Sequence, residues 1–279
     1  MGTQDVSVSP TAASLIDLAT YPIDDLDGPE GQALVESCRL RLARSGALDL
    51  PGFLRPDAIT LLAEEANGLE DHTHQYATEH NVYFDPPDHT LPPDHPRRHR
   101  VRTNKGNVPY DLIPRGSLLR AIYEWDAVLA FVAAVLGEPR LYRHQDPMAA
   151  LNINVHAEGQ ELGWHFDRTD FAITLSLQQC EAGGTFEFVP NLRSADDENY
   201  PAVAAILAGG TEGLCRTDAA PGTLTLFRGH FSLHRVTPGT GPRKRLMAAL
   251  SYVREPNVTF SAYARQLFYG RETVHAEFA

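Results

Sequence analysis

From residue 140 to residue 252 the chain breaks into short alternating segments, at 140–144, 149–155, 171–178, 185–189, 223–227, 230–236 and 245–252. Turn signals separate most of them: Asp146-Pro147, Gly183-Gly184, Pro221-Gly222 and the stretch from Gly239 to Pro242. A period of two bounded by Gly and Pro cannot sit still as a helix, so this half must build sheets. Many short strands of this kind predict a jelly roll or sandwich.

The first half has a different texture. Leu34, Cys38 and Leu42 recur at helical spacing within 31–43, with Gly46 placed to stop the run. Residues 47–54 read as a short strand, and Pro56-Asp57 opens a second helix that ends near Asn67-Gly68. Ser117 precedes an apolar helical region, 118–136, interrupted near Trp125-Asp126 and closed by Gly137. Residues 71–96 are rich in His, Pro and Asp and show no period, which predicts a long loop. Residues 1–30 are polar and predict a flexible or extended arm. The expected organisation is that arm and a single domain over 31–279, with helical support and a lid loop at 31–137. A jelly-roll core then occupies 138–254, and a C-terminal helix or tail 255–279. No internal repeat is visible.

A chain of 279 residues buries an adequate core without staples. Cys38, Cys180 and Cys215 are odd in number and widely spaced, which suggests neither a disulfide framework nor a thiolate zinc site and fits a reducing cytoplasm. Nothing resembles a leader peptide or approaches a membrane-spanning run. The formal net charge of −12 argues against a nucleic-acid partner, which would need Lys and Arg in excess. No GxSxG or nucleotide fingerprint is present, and Gly183-Gly184 is a turn with no helix after it to cradle a phosphate.

Chemistry concentrates in Trp164-His165-Phe166-Asp167. Residues i and i+2 of a strand point to one face, so His165 and Asp167 could bind one ion while Trp164 turns away into the core. His234 follows on an apolar strand, Phe231 to Val236. Two imidazoles and one carboxylate on one side of a metal leave the other positions open, the arrangement of non-haem iron(II) oxygenases. A zinc hydrolase is the other metal reading of this donor set. Arg245, eleven residues after His234, begins the next apolar strand and could hold a carboxylate through its planar fork. The alternative is that Arg245 is a solvated strand end like its neighbours Arg243 and Lys244, since charges commonly sit where strands meet turns.

The order HxD, distant His, then Arg resembles the iron(II)/2-oxoglutarate-dependent oxygenases. The text "ALNINVHAEGQELGWHFDRTDFAITLSLQ", "GGTFEFVPNLRS" and "PGTLTLFRGHFSLHRVTP" is similar to the bacterial branch of free-amino-acid hydroxylases and chlorinases, strongly over 140–254. The resemblance implies a double-stranded β-helix, cupin-like, mainly β with packing helices. It also implies Fe(II) with 2-oxoglutarate and O2 as cosubstrates. Its ligand set falls on His165, Asp167 and His234, and its cosubstrate clamp on Arg245. Asn154 and His156 fall where some members place cosubstrate contacts, although a His stands at 156 where those have Tyr; local hydrogen bonding and a strand end are the alternative roles. In the chlorinases the carboxylate is a small residue; Asp167 therefore favours hydroxylation of a small polar metabolite, a free amino acid or close derivative, with desaturation, cyclisation and halogenation as alternatives on the same iron. A non-catalytic cupin-like sensor is the reading from another class, disfavoured because a sensor needs no cosubstrate clamp.

Two weaker signals remain. His72, His74, His80, His89, His95 and His99 are irregularly spaced and read as a solvated or substrate-covering loop rather than a second metal site. Arg97, Arg98, Arg100, Arg102 and Lys105 read as a solvated face, unless the segment folds over the jelly-roll mouth and recognises a carboxylate or phosphate. Arg168 and Arg193 could line the opening or sit on surface loops.

Overall fold

The computed structural model describes residues 11–86 and 88–274. In chain order its elements are α1 (Ala12–Leu15), α2 (Pro29–Ser45), β1 (Ala47–Leu50), α3 (Pro56–Gly68), β2 (His74–His80), β3 (Val101–Val108), α4 (Leu118–Glu124) and α5 (Asp126–Leu136). Then follow β4 (Tyr142–Arg143), β5 (Leu151–His156), β6 (Leu162–His165), β7 (Ala172–Gln178), β8 (Ala182–Gly183), β9 (Phe186–Val189) and α6 (Tyr200–Leu207). The last are β10 (Cys215–Thr217), β11 (Leu224–Phe227), β12 (Leu233–Val236), β13 (Gly239–Thr240), β14 (Arg245–Leu250), β15 (Tyr252–Val253) and α7 (Ala262–Tyr269). Gly46 and Gly137 adopt φ of 68° and 74°, the left-handed turn that stops α2 and α5 where the sequence placed their ends.

Two antiparallel sheets face one another, as expected of a double-stranded β-helix. The major sheet runs β1-β11-β7-β14-β5-β3-β2 and the minor sheet β10-β9-β12-β6. Strict alternation sorts the faces of the major sheet. Leu151, Ile153 and Val155 of β5 sit opposite Leu250, Ala248 and Leu246 of β14, and Ala248 sits opposite Leu175 of β7. These residues belong to one buried apolar cluster with α2 to α5, including Val35, Leu62, Ile122 and Phe131. Burying that face against helices supplies the main driving force of the fold. The alternate residues, Asn152, Asn154 and His156, must then point inward.

Two expectations need correction. Residues 12–28, part of the expected flexible or extended arm over 1–30, are packed: Leu15, Ile16, Tyr21 and Ile23 are buried, and Ile16 bridges Leu54. Its apolar residues follow no single helical or strand period, so burial against the rest of the fold together with local turns fixes it; residues 1–10 lie outside the described residues. The loop expected at 71–96 contains β2, and the basic run 97–105 enters β3, so the front half contributes strands as well as helical support. β3 pairs β2 from Val101 to Asn107 and β5 at Gly106–Val108. Such long-range pairing stabilises segments whose own composition, His74–His80 and Val101–Val108, carries little strand preference. The segments that remain a loop are 81–86 and 88–100. Helix α6 and strand β10 were also not foreseen. The C-terminal helix is present as α7, with residues 275–279 outside the described residues.

The three cysteines are free thiols, and among the described residues no helix is long and apolar enough to cross a membrane. Helix α7 packs across β2 and β3, and Tyr269 donates its hydroxyl to Asn152 Oδ1 at 2.7 Å. Asp146, wholly buried, fixes this helix. One carboxylate oxygen accepts from Arg265 Nε and Nη2 at 2.9 and 2.7 Å and from the Phe260 amide at 2.9 Å. The other accepts from the Met148 amide at 2.9 Å. Burial alone would raise its pKa, but these donors outweigh it and hold the carboxyl below its ordinary range.

Asp146→Asn leaves Arg265 without its partner and should destabilise the fold by about 3–5 kcal/mol at neutral pH. A depressed carboxyl contributes stability that is present above its unfolded pKa and lost as pH falls through its folded one. The gap between wild type and variant in urea melts should therefore narrow below about pH 4; a constant gap would assign the loss to packing instead.

Candidate active site

In the minor sheet β12 pairs with β6 so that His234 lies directly across from His165. Their ring centroids are 4.0 Å apart. Asp167, just past the end of β6, closes the group: its Oδ1 lies 3.4 Å from His165 Nε2 and 3.5 Å from His234 Nε2. The three potential ligand atoms fall within 4.8 Å of one another, and no other cluster of this kind occurs among the described residues. Both Nδ1 atoms donate to backbone carbonyls, His165 to Gly163 at 2.8 Å and His234 to Ser232 at 2.9 Å. That fixes the tautomer and leaves both Nε2 lone pairs turned toward the Asp167 carboxylate. Cis ligands on an ion with bonds of roughly 2.1 Å stand about 3 Å apart, so this group needs little adjustment to hold one.

The protonation states suit a cation. Burial, with His234 alongside, takes His165 down to about 4, so it is neutral near pH 7. Burial opposes ionisation of Asp167, but the two imidazoles beside it outweigh that and hold it well below the carboxylate range. The carboxylate is also held from behind. Its own amide donates to Gly229 O at 3.0 Å, and a Cβ at Gly229 would stand 1.8 Å from Asp167 Oδ2. Only glycine leaves room for this carboxylate. Trp164 points away, buried in a satellite core with Arg235 stacked 4.6 Å from its ring centroid, as alternation predicts.

Aromatic rings wall the imidazoles. Phe227 and Phe186 stand 4.8 and 5.6 Å from His234, and Phe84 stands 5.5 Å from His165. Phe84 belongs to the loop that follows β2, adopts a left-handed φ of 57°, and stacks on His80 at 4.3 Å. The loop is tied to the ligand strand by Phe166 N donating to Val82 O at 2.8 Å and by Arg168 Nη2 donating to Phe84 O at 2.8 Å. Arg168 thus holds this wall. Arg193 is already satisfied by Glu198 at 2.9 Å and by the His230 carbonyl at 2.6 Å. Of the six loop histidines, His80 alone is buried beside the triad, with its ring nitrogens bonded to the Asn81 carbonyl and to Thr103 Oγ1.

On the major sheet Arg245 lies across from His156. It is 8% exposed and forms no hydrogen bond or ion pair with a described residue. Arg243 is exposed and Lys244 pairs with Glu70, so of these three neighbouring cations only Arg245 faces the interior. Both ring nitrogens of His156 are buried without a partner, and burial, then Arg245 and Lys105, pushes its pKa well down. Asn154 accepts from Lys105 Nζ. A buried guanidinium and an orphaned imidazole are unmet hydrogen-bonding capacity, which the carboxylate of a small ligand would satisfy. Sequence reasoning missed Phe84, His80 and the placement of Lys105; in Thr103, Lys105 and Asn107 the alternate spacing was present, but hidden inside a basic run.

The halogenase D family model matches residues 31–266. No curated protein matches the sequence. Many solved structures share the fold. One is the epimerase SnoN from nogalamycin biosynthesis in complex with Fe3+ and α-ketoglutarate: TM-score 0.54, 17% identity, covering 80% of this chain and 84% of that one. AviO1 from Streptomyces viridochromogenes Tue57 superposes with a TM-score of 0.52 at 18% identity, over 80% and 96% of the two chains. A prolyl hydroxylase from Trichoplax adhaerens gives 0.52 at 13% identity, over 80% and 90%. The chain belongs to the halogenase D family, and with this jelly roll and His-Asp-His group it is a non-haem iron and 2-oxoglutarate-dependent oxygenase.

Proposed function

We propose that the protein hydroxylates an unactivated C–H bond of a small polar metabolite, a free amino acid or close derivative, with His165, Asp167 and His234 as the iron ligands. The observation that carries this reading is the intact carboxylate at 167, seated against Gly229 and ionised beside two imidazoles whose Nε2 atoms face it. The bound iron with 2-oxoglutarate and O2 supplies the oxidising power to remove a substrate hydrogen. The chain's own residues do the rest. The backbone carbonyls of Gly163 and Ser232 hold the imidazoles in one tautomer, and Phe84, Phe186 and Phe227 exclude water from the reacting face. Arg245 receives the distal carboxylate of 2-oxoglutarate, with Asn154 and His156 beside it as further contacts. A carboxylate at 167 occupies the position that a halide would need. The family's description as a halogenase favours chlorination as the second reading, and the product decides between them.

Substituting either histidine by Ala should abolish turnover and weaken binding of Fe(II) or a silent surrogate such as Mn(II) by at least about 100-fold, read by equilibrium dialysis. Full metal stoichiometry in both variants at low metal would reject the ligand set. Screening amino acids and their derivatives for stimulated succinate release, with products weighed, tests the outcome. A +16 product even in high chloride is expected, whereas a chlorinated or −2 product would replace hydroxylation by halogenation or by desaturation and cyclisation. Arg245→Ala should raise the 2-oxoglutarate requirement about 30- to 1,000-fold, corresponding to roughly 2–4 kcal/mol for a buried carboxylate pair. Arg245→Lys should recover only part of that, since an ammonium lacks the planar fork. A large effect at Arg243 with none at Arg245 would move the clamp.

A further inference from the structure

The inner face of the major sheet carries a row of three side chains on adjacent strands. Arg245 of β14 is in register with His156 of β5. Lys105 of β3 stands one position beyond the Gly106–Val155 rung, and so faces His156 from the other side. The contact of Lys105 Nζ with Asn154 Oδ1 places the ammonium on that same inner face. The row reads cation, imidazole, cation. None of the three has a carboxylate partner among the described residues, and both imidazole nitrogens are orphaned although the residue is only 3% exposed. Leaving buried charge poorly compensated is costly; Asp167 attracts Lys105 and Asp218 attracts Arg245 only from beyond ion-pair distance. The other lysine of the chain, Lys244, is paired with Glu70 outside.

We propose that Lys105 and His156 form a carboxylate-binding subsite next to Arg245, with the Lys105 ammonium as its second cation and a neutral His156 N–H as its central donor. The inference rests on the reading of this cavity as a 2-oxoglutarate site. The carboxylate has two possible sources, the distal group of 2-oxoglutarate shared with Arg245, or the carboxylate of the substrate. Asn154 then acts as a positioning residue, holding the ammonium while the subsite is empty. Burial and the nearby Arg245 guanidinium push Lys105 down to about 8. Part of it is therefore an unprotonated, reactive amine at mildly alkaline pH, and an arriving carboxylate reverses that.

The chain's two lysines make the test direct. In the Mn(II)-loaded protein, reductive methylation at pH 8 is followed by peptide mass spectrometry, with Lys244 as internal reference. If the cosubstrate is the source, 2-oxoglutarate slows methylation of Lys105 at least tenfold and 2-oxopentanoate, which lacks the distal carboxylate, does not. If the substrate is the source, 2-oxoglutarate has no effect and a free amino acid added with it protects. Calorimetric titration of Lys105→Met supplies a second measurement, with Lys105→Arg as the conservative control. The cosubstrate source predicts a loss of about 10- to 100-fold in 2-oxoglutarate affinity, largely restored by Arg and absent for 2-oxopentanoate. No protection by any carboxylate, together with unchanged 2-oxoglutarate affinity in folded Lys105→Met, overturns the subsite. Failure of the wild type itself to bind 2-oxoglutarate overturns the function reading, a distinguishable result.

Discussion

The pairing of β6 with β12 sets His165 across from His234, and the proposed iron site depends on that register. A slip of one residue in either strand would turn one imidazole into the satellite core and bring Trp164, or Leu233 or Arg235, to the reacting face. The register is defended from both sides. β9 pairs the other edge of β12 over four rungs, from Leu233–Val189 to Val236–Phe186, and Val189, Leu233, Trp164 and Phe166 are buried together in one apolar cluster. Burial on the outer face of the minor sheet thereby fixes which residues face inward, in the same way that α2 to α5 fix the inner face of the major sheet.

The helices, β strands and the C-terminal α7 thus play distinct parts. The outer apolar rows of β5, β7 and β14 meet α2 to α5, and this makes the major sheet a rigid wall. α7 covers β2 and β3 and is held by the buried Asp146–Arg265 pair. Between them lies a polar interior that would be untenable as a core: Asn152 has found Tyr269, while Arg245 and His156 have found no protein partner. A fold that tolerates such a cavity does so because small charged ligands complete it.

Much of this could be read from the sequence wherever the controlling physics is local. HxD needs only the period of a strand, Gly46 and Gly137 need only the geometry of a helix end, and Arg245 could be separated from Arg243 and Lys244 by its adjacency to an apolar run. What escaped is non-local. Residues 74–80 and 101–108 are strands because each is hydrogen-bonded to a neighbour in the sheet, so Lys105 passed for one more solvated charge. Residues 12–28 carry five buried apolar side chains at irregular spacing that matches neither the helical nor the strand period. Phe84 became part of the site through a loop whose path no local propensity encodes.

That loop has a mechanical character of its own. A bulky residue with φ of 57° stores on the order of 1–3 kcal/mol, which its surroundings must hold in place. The stacking on His80, the edge contact with His165, the bond from the Phe84 amide to the Asn81 carbonyl at 3.1 Å and the bond from Arg168 to the Phe84 carbonyl do the holding. Separating these contacts returns the stored energy to the loop, whereas moving any sheet strand would break a whole ladder. The wall beside His165 is therefore held by a few local contacts and at a backbone cost, unlike the ladder-bonded strands behind it.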